Sequence, residues 1–212
     1  HFQGAPVIEV EGRNYPVDIK YLCYEDAKND VARLVVECIG SIITDDAEGD
    51  ILVFLSGERE IHETSRVIRG TFHQTIDVLP IYSRLSLSEQ KKIFFTNKRR
   101  RVVLATNIAE TSLTVPRIAF VIDTGQARVS RYSYRSKIQR LQVEAISQAS
   151  ADQRAGRAGR ERPGICYRLF TERDFECRRK FNDPEIRRTN LATVIMRMLD
   201  LGVGEINRFP FI

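Results

Sequence analysis

The chain has 212 residues, of which 42% are hydrophobic and 29% are charged, proportions typical of a soluble globular protein with a sizeable core. No run of about 18 apolar residues occurs, which excludes a helical membrane span. The net charge of +5 is concentrated in residues 117–162, where ten Lys or Arg face four Asp or Glu. Clustered Arg indicates a phosphate-rich partner, although a solvated basic face would show the same pattern.

The cysteines and histidines show no pattern of a metal site or of a disulfide framework. Cys23, Cys38, Cys166 and Cys177 have no CxxC spacing, and the three histidines form no ligand motif. A reducing cytoplasm fits this usage, and we assign no residue to a metal. The chain begins His1-Phe2 with neither an initiator Met nor a signal peptide, so we expect both ends to be cut from a longer protein.

Short apolar runs predict buried strands, and the amphipathic stretches between them predict helices. The predicted strands are 51–55, 78–82, 102–105, 120–122 and 165–169. Val31, Leu34, Val35 and Cys38 share one helical face, and a second helix is predicted over 86–95 behind a Ser cap. Alternation of this kind predicts an α/β fold with a mainly parallel sheet sandwiched by helices.

Two segments depart from the alternation. Residues 128–144 are rich in Arg and Tyr and read as a two-stranded antiparallel excursion. From Asp183-Pro184 the pattern becomes purely helical, with an apolar stripe that ends at Gly202. This stretch predicts the start of another small domain.

The segment Gln153-Arg-Ala-Gly-Arg-Ala-Gly-Arg160 carries the strongest chemical signal. Ser150-x-x-Gln153 resembles a capping box, so we expect a helix to begin there, with Gln153, Arg157 and Arg160 on one face. Repelling arginines and two helix-weakening glycines suggest compensation by an anion held in the guanidinium forks. A solvated Arg helix loosened by glycine is the alternative.

Two polar segments follow predicted strands, at the strand ends where ligands bind in open α/β sheets. Residues 105–114, Ala-Thr-Asn-Ile-Ala-Glu-Thr-Ser-Leu-Thr, offer hydroxyls to phosphate or ribose oxygens, although a cap and turn cluster would look the same. In residues 55–60, Leu-Ser-Gly-Glu-Arg-Glu, backbone N–H groups of Ser56 and Gly57 could bind a phosphate at a helix N-terminus. An ordinary helix cap explains this segment equally well.

Two elements of a complete ATPase site do not occur in this sequence. No Gly is followed by Lys, so there is no G-x-x-x-x-G-K-[ST] phosphate loop, and no Asp-Glu motif for Mg²⁺ is found. Arginines that could contact a triphosphate, without a phosphate loop, make half of a site. The missing loop also argues against a GTPase-like or kinase-like phosphate binder.

These three segments, in this order and at these intervals, resemble motifs IV, V and VI of the DEAH-box helicases, and most of all the bacterial HrpA-type ATP-dependent RNA helicases. The likeness extends over essentially the whole chain. It implies a second RecA-like domain of the P-loop NTPase type over residues 21–180, with a β-hairpin at about 126–145. Residues 1–20 would then enter from a first RecA-like domain, and residues 181–212 would begin a winged-helix domain.

The resemblance also implies a role for each matching residue. In the hydrolysis of ATP, Gln153 positions the attacking water, and Arg157 and Arg160 act as arginine fingers. The residues implied in nucleotide binding are Phe94, which stacks on adenine, Ser112 and Thr114. The residues implied in gripping single-stranded RNA are Ser56, Gly57, Thr106 and Asn107. The hairpin would separate strands as a wedge.

The resemblance further implies that ATP and Mg²⁺ are held between this lobe and the first RecA-like domain of the same chain. This lobe by itself should therefore bind neither of them. The expected partners are RNA, with DNA as an alternative, and no membrane, and the expected location is cytoplasmic. A stand-alone RNA-binding module is the competing hypothesis, and a phosphate loop in the preceding sequence would exclude it.

Three positions depart from the family pattern. Pro116 stands where many relatives have an Asp that contacts the ribose, which puts tight base selection in doubt. Arg117 replaces a usual Gly, and Thr124 replaces a usual Pro.

Overall fold

The computed structural model describes residues 6, 8, 15–22, 30–45, 48–73, 75–95, 99–133, 135–202 and 209. His1, Cys23 and most of the expected entry segment lie outside this set. Among the described residues, no helix combines the length and the apolar character needed to cross a membrane. The chain divides into two compact units, the larger formed by Asn14–Arg128 and Val143–Asn182.

The larger unit is built on a six-stranded sheet in the order β1-β8-β5-β2-β4-β3, and every pairing is parallel. Its strands are β1 (Val17–Tyr21), β2 (Asp50–Phe54), β3 (Ile76–Ile81), β4 (Arg100–Ala105), β5 (Ile118–Asp123) and β8 (Gly164–Arg168). The predicted parallel α/β sheet is confirmed.

Helices connect the strands and cover both faces of the sheet. They are α1 (Val31–Thr44), α2 (Glu58–Phe72), α3 (Leu87–Lys91), α4 (Ile108–Thr111), α5 (Gln148–Ala155) and α6 (Glu172–Cys177). A 3-10 turn, Lys92–Phe94, continues α3. The helix predicted from residue 31 is confirmed, and its buried residues include Leu34, Val35 and Cys38.

The core has two layers because successive residues of a strand point to opposite faces of the sheet. From β2, Ile51 and Val53 pack in the layer with α1 and α2, whereas Leu52 and Phe54 pack in the other layer. That second layer contains Ala109 and other small residues from α4, α5 and the turn after α5. Burial of strand residues on both faces explains the continuous apolar runs of the central strands.

The strand β1 was not predicted from the sequence. The expected domain boundary after residue 20 falls inside it. Val17–Tyr21 pairs in parallel with Gly164–Arg168 at the edge of the sheet, so residues 17–20 belong to this sheet. Three of its five residues are exposed. An edge strand of this kind has no continuous apolar run, which is why the sequence pattern did not reveal it.

The smaller unit comprises His1–Arg13, Val129–Gln142 and Asp183–Ile212. The antiparallel excursion is confirmed as a hairpin of β6 (Gln126–Ser133) and β7 (Ile138–Ala145), whose distal part belongs to this unit. There, Arg131 forms an ion pair with Asp183 at 3.1 Å, and the Tyr132 N–H donates to the Arg188 carbonyl at 2.8 Å.

The C-terminal helix begins later than the sequence suggested. Pro184 precedes a 3-10 turn, Glu185–Arg187, whereas α7 (Leu191–Asp200) starts behind Asn190, whose side chain caps the Ala192 N–H. Gly202 follows the helix with φ of 63°, which confirms the predicted stop. Whether this segment starts a winged-helix domain stays a prediction.

We expect thiol labelling to report this packing. Burial raises the pKa of the Cys38 thiol to about 12 and also raises the pKa of Cys166, whereas Cys177 is exposed. Because the thiolate is the reactive species, brief alkylation of the native chain at pH 8 should modify Cys177 and spare Cys38 and Cys166. Peptide mass spectrometry with and without urea measures this. Labelling of Cys166 as fast as Cys177 would contradict its place in the sheet interior.

Candidate functional site

The order of the strands places a topological switch point at the carboxyl ends of the central strands. The strand β2 lies between β4 and β5, and the chain moves from one side of β2 to the other when it passes from β4 to β5. Ligands bind at such a switch point in open α/β sheets. We call the end of the sheet where the strands finish the carboxyl-end edge, and the end where they start the amino-end edge. These names refer to the two ends of the strands and not to the outermost strands.

Backbone hydrogen bonds tie the loops of the carboxyl-end edge together. The Leu55 N–H donates to the Ala105 carbonyl at 2.8 Å, and the Thr106 N–H donates to the Ile81 carbonyl at 3.2 Å. The Thr124 hydroxyl donates to the Phe54 carbonyl at 2.9 Å. Thr124, which stands where relatives usually have Pro, therefore links the end of β5 to the end of β2.

Ser56 and Gly57 lie at this edge, but the Ser56 N–H is already used. It donates to the Glu60 carboxylate at 2.6 Å, so the proposal that it meets a phosphate is not supported by this geometry. Arg128 lies over Gly57, because a β-carbon added to Gly57 would lie 3.1 Å from the Arg128 Cζ. The exposed Arg128 guanidinium is a cation that the sequence analysis did not single out.

Thr106 and Asn107 share the same edge, as predicted. Thr106 is half-buried and Asn107 is exposed, and their carbonyls accept hydrogen bonds from Ala109 and Glu110 in α4. The hydroxyl of Thr106 and the amide of Asn107 thus stand at the end of a rigid central strand. Neutral donors of this type contact phosphate and sugar oxygens without reading the bases.

The polar segment 105–114 does not stay at one edge. It leaves β4 at the carboxyl-end edge, and it must reach the amino-end edge because the parallel strand β5 begins there at Ile118. Ser112 caps the end of α4 and is exposed, and Thr114 lies close to the start of β5. Ser112 and Thr114 are therefore separated along this crossing from Thr106 and Asn107.

The helix expected to begin at Ser150 instead begins at Gln148, capped by Ser147, and ends at Ala155. Gln153 lies in its last turn, whereas Arg157 and Arg160 lie in the turn beyond it, so the three do not share a helical face. Neither glycine is inside the helix. A β-carbon on Gly159 would lie 2.5 Å from the Tyr15 carbonyl oxygen, so this glycine admits the chain's own backbone rather than an anion.

Arg154 is held by two carboxylates inside the protein. It is fully buried, and its guanidinium contacts Asp123 at 2.8 Å and Glu110 at 3.1 Å. It also donates to the Gln126 carbonyl at 3.2 Å and lies 4.7 Å from the centre of the Phe54 ring. Arg154 is therefore a structural clamp and is not available to an outside anion.

Arg157 and Arg160 are positioned differently. The buried Arg157 guanidinium donates to the carbonyls of Glu110 and Leu113, and the exposed Arg160 donates to the Thr114 hydroxyl at 2.6 Å. Burial lowers the pKa of Arg157, and the positive charge of Arg160 lowers it further. The turn after α5 thus brings two guanidinium groups to the end of the 105–114 segment, where Thr114 was predicted to meet nucleotide. Gln153 is exposed near them in sequence.

Phe94, the predicted adenine-stacking residue, is available for such a contact. It lies in the 3-10 turn after α3, and 51% of its surface is exposed. Ser86 begins this helix with a capping box to Glu89, which confirms the Ser cap predicted from the sequence. The neighbouring Ile93 is buried and anchors the turn in the core.

The backbone conformation at Arg117 favours Gly, the residue that the family resemblance implies for this position. Its φ of 67° is left-handed, a conformation that Gly adopts without strain. Its N–H donates to Glu161 at 3.1 Å, and its carbonyl accepts from the Asp50 N–H at 3.0 Å. The position therefore favours Gly for its backbone conformation, and Arg is held there by these contacts.

Comparisons with known proteins agree on one family. Residues 32–162 match the model described as "Helicase conserved C-terminal domain". The whole chain is 52% identical to ATP-dependent RNA helicase HrpA of Escherichia coli and 51% identical to the HrpA homolog of Haemophilus influenzae. It covers 16% of the length of each of these relatives.

Solved structures show the same similarity. A crystal structure of the Escherichia coli DEAH/RHA helicase HrpB matches 95% of the chain with a TM-score of 0.82 and 37% identity. A second, of the E. coli DExH-box NTPase HrpB, matches 93% with a TM-score of 0.80. The chain covers 26% and 24% of those two proteins.

The buried clamp predicts a sharp contrast between two neighbouring arginines. Arg154→Met should lower the free energy of unfolding by about 3–5 kcal/mol, because it leaves buried Asp123 and half-buried Glu110 without their cation. Arg160→Met, at an exposed site with one neutral partner, should change it by about 0.5 kcal/mol or less. Urea unfolding followed by circular dichroism measures both. Equal losses would mean that Arg154 carries no special share of the stability.

Proposed function

The chain belongs to the helicase C-terminal domain family, and from this premise we propose that it is the second motor lobe of a DEAH-box ATP-dependent RNA helicase. In this proposal the amino-end edge contributes to ATP hydrolysis, and the carboxyl-end edge grips single-stranded RNA. The observation that carries the proposal is the path of residues 105–114. This segment starts at Thr106 and Asn107 on one edge and ends at Thr114, hydrogen-bonded to Arg160, on the other.

The arginines suit a triphosphate because, within the part of the chain that the structure describes, no carboxylate forms an ion pair with either of them. The hydrogen bonds of Arg157 go to two carbonyls, and that of Arg160 goes to a hydroxyl. Burial lowers the pKa of Arg157 and the charge of Arg160 lowers it further, and phosphate charge between the two arginines would relieve this repulsion. We assign to them the stabilisation of charge that develops on the transferred phosphoryl group. Gln153, in the last turn of α5, would orient the attacking water.

The nucleotide would complete its contacts outside this chain. Mg²⁺ neutralises charge on the phosphates when it is bound, and in this proposal the first lobe and the triphosphate hold it. In the described part of the chain, no group of three His, Cys, Asp or Glu side chains is arranged to hold a metal ion. Phe94 would stack on the base, with Ser112 and Thr114 beside the nucleotide.

The RNA would lie along the carboxyl-end edge. Thr106 and Asn107 would donate hydrogen bonds to its backbone, and Arg128 beside Gly57 would contribute a positive charge. The hairpin would act as the strand separator, consistent with its exposed Leu141 and Val143 and its arginines. Contacts of this kind bind RNA through its backbone and stacking rather than through base sequence.

The split site predicts that the 212-residue chain does not hydrolyse ATP above background, with or without RNA. Two arginines and a glutamine do not build a phosphate and Mg²⁺ site in the absence of a phosphate loop. Release of phosphate from ATP by the purified chain is the measurement. The full-length protein predicted to contain this lobe is the positive control. Robust turnover by the chain alone would exclude the proposal.

The two arginines should affect chemistry more than RNA binding. In the full-length protein, Arg160→Ala should slow hydrolysis by about 10³–10⁵-fold, the range measured for arginine fingers, while RNA affinity changes little. Arg157→Ala should slow hydrolysis in the same range and also lower stability, because its side chain packs against residues 110–113. Single-turnover hydrolysis and RNA titration separate the two effects. Equal losses in both assays would identify these residues as RNA contacts.

The chain alone should bind single-stranded RNA weakly, with little sequence preference and a marked salt dependence. Each neutralised phosphate on a single strand contributes a slope of about −0.7 to log K against log salt. A few phosphates along one lobe therefore predict a slope of about −2. Titration of labelled homopolymers at several salt concentrations tests this, and Arg128→Gln should make the slope shallower. A flat response, or strong preference for one homopolymer, would point to a stand-alone base-reading module.

A further inference from the structure

A buried ion pair lies beneath the amino-end edge, and the proposed function leaves it unused. Asp50 is the first residue of β2, and Arg101 is the second residue of the neighbouring strand β4. Asp50 is 0% exposed and Arg101 is 1% exposed. The Arg101 guanidinium donates to the Asp50 Oδ2 from Nε at 2.8 Å and from Nη2 at 2.6 Å. The Arg101 backbone N–H donates to the Asp50 Oδ1 at 2.9 Å.

The remaining donors of Arg101 reach two other segments. Its Nη1 donates to the carbonyls of Ile93 and Phe95, which flank Phe94 on both sides. Its Nη2 donates to the Pro116 carbonyl at 2.9 Å. All five N–H groups of the planar guanidinium fork are thereby used, and Asp50 fixes the direction in which the fork points.

The turn that carries Phe94 depends on this side chain because little else anchors it in the described structure. No residue of α3 is buried, and Ile93 is the one buried residue of the following 3-10 turn. Ile93 sets the depth of the turn, and the two hydrogen bonds from Arg101 set its orientation. The same guanidinium also holds the Pro116 carbonyl, which ties the turn to the segment that precedes β5.

We propose that the buried Arg101–Asp50 pair is a positioning device for nucleotide binding, which holds the turn that carries Phe94 in the orientation that stacking on the base requires. This inference rests on the proposed function, in which Phe94 stacks on the base. Arg101 does not touch the nucleotide and acts through the backbone of residues 93–95 and 116. Its effect should therefore fall on ligands that contain a base and spare ligands that contain only phosphates.

The test compares ATP with inorganic tripolyphosphate, both with Mg²⁺, as ligands of the full-length protein. Arg101→Lys keeps the charge but cannot supply five directed donors. It should weaken ATP binding on the order of tenfold, within the range that stacking on an aromatic ring contributes. Tripolyphosphate binding should stay within about twofold. Arg100→Lys, at the preceding position on the other face of β4, is the matched control and should change neither affinity.

A double-mutant cycle with Phe94→Ala separates positioning from general support of the fold. If Arg101 acts mainly through Phe94, Arg101→Lys should weaken ATP binding by no more than about twofold once Phe94 is alanine. If Arg101→Lys does not fold, Asp50→Asn takes its place. It removes the charge while keeping an acceptor oxygen, and it should show the same ligand selectivity and the same loss of effect in the Phe94→Ala background.

The outcomes distinguish failure of this positioning role from failure of the proposed function on which it rests. Equal weakening of ATP and tripolyphosphate, or an unchanged effect in the Phe94→Ala background, would overturn the positioning role and leave a purely structural ion pair. If Phe94→Ala weakens ATP binding but Arg101→Lys does not, this inference alone fails. If Phe94→Ala leaves ATP binding unchanged, the base-stacking part of the proposed function is wrong, and the positioning role is wrong with it.

Discussion

The clamp formed by Arg154 with Asp123 and Glu110 is the interaction on which the rest of the site depends. A charge buried this completely is costly unless carboxylates and carbonyls satisfy it, and the Nε and Nη1 of Arg154 find such partners. Glu110 belongs to α4 and also accepts a hydrogen bond from the Ser150 hydroxyl of α5 at 2.7 Å. Asp123 ends β5 and accepts from the Gly125 N–H at 2.9 Å. One guanidinium thus joins two helices, the end of a central strand and the first residue of the hairpin.

The clamp also holds the segment of the chain that crosses the sheet. Residues 105–114 cross the sheet from the carboxyl-end edge to the amino-end edge, and α4, in the middle of the crossing, is the part that Arg154 grips. Thr106 and Thr114 are therefore joined by a short segment whose middle is held by Arg154 and whose end is bonded to Arg160. Coupling between two ligands needs a physical element that both contact, and in the proposed function RNA and nucleotide would both contact this crossing.

The fold could be predicted largely from the sequence because strands buried on both faces produce continuous apolar runs, as at Ile51–Leu55. The edge strand β1 was missed for the opposite reason, since its residues are mostly exposed. The proposed site residues come from a family resemblance, whereas the helical face predicted for the arginines was wrong because the helix ends at Ala155. Both Ser147 and Ser150 are suitable N-cap residues, and short-range sequence patterns do not show which of them begins the helix. The pairing of Asp50 with Arg101 joins residues 51 positions apart, which no local pattern reveals.

The regular spacing of the three arginines in residues 153–160 conceals three different environments. Arg154 is still helical and points into the protein, where two carboxylates hold it. The helix then ends at Gly156, so that Arg157 packs against backbone carbonyls and Arg160 emerges into solvent. Because exposure increases at each step beyond the helix end, the first arginine stabilises the structure and the last is accessible to a ligand. A continuous helix would have turned the side chains of Arg154 and Arg157 by only about 60° from each other and given them similar surroundings. The end of the helix at Gly156 therefore separates a buried, structural arginine from an exposed one within a single short segment.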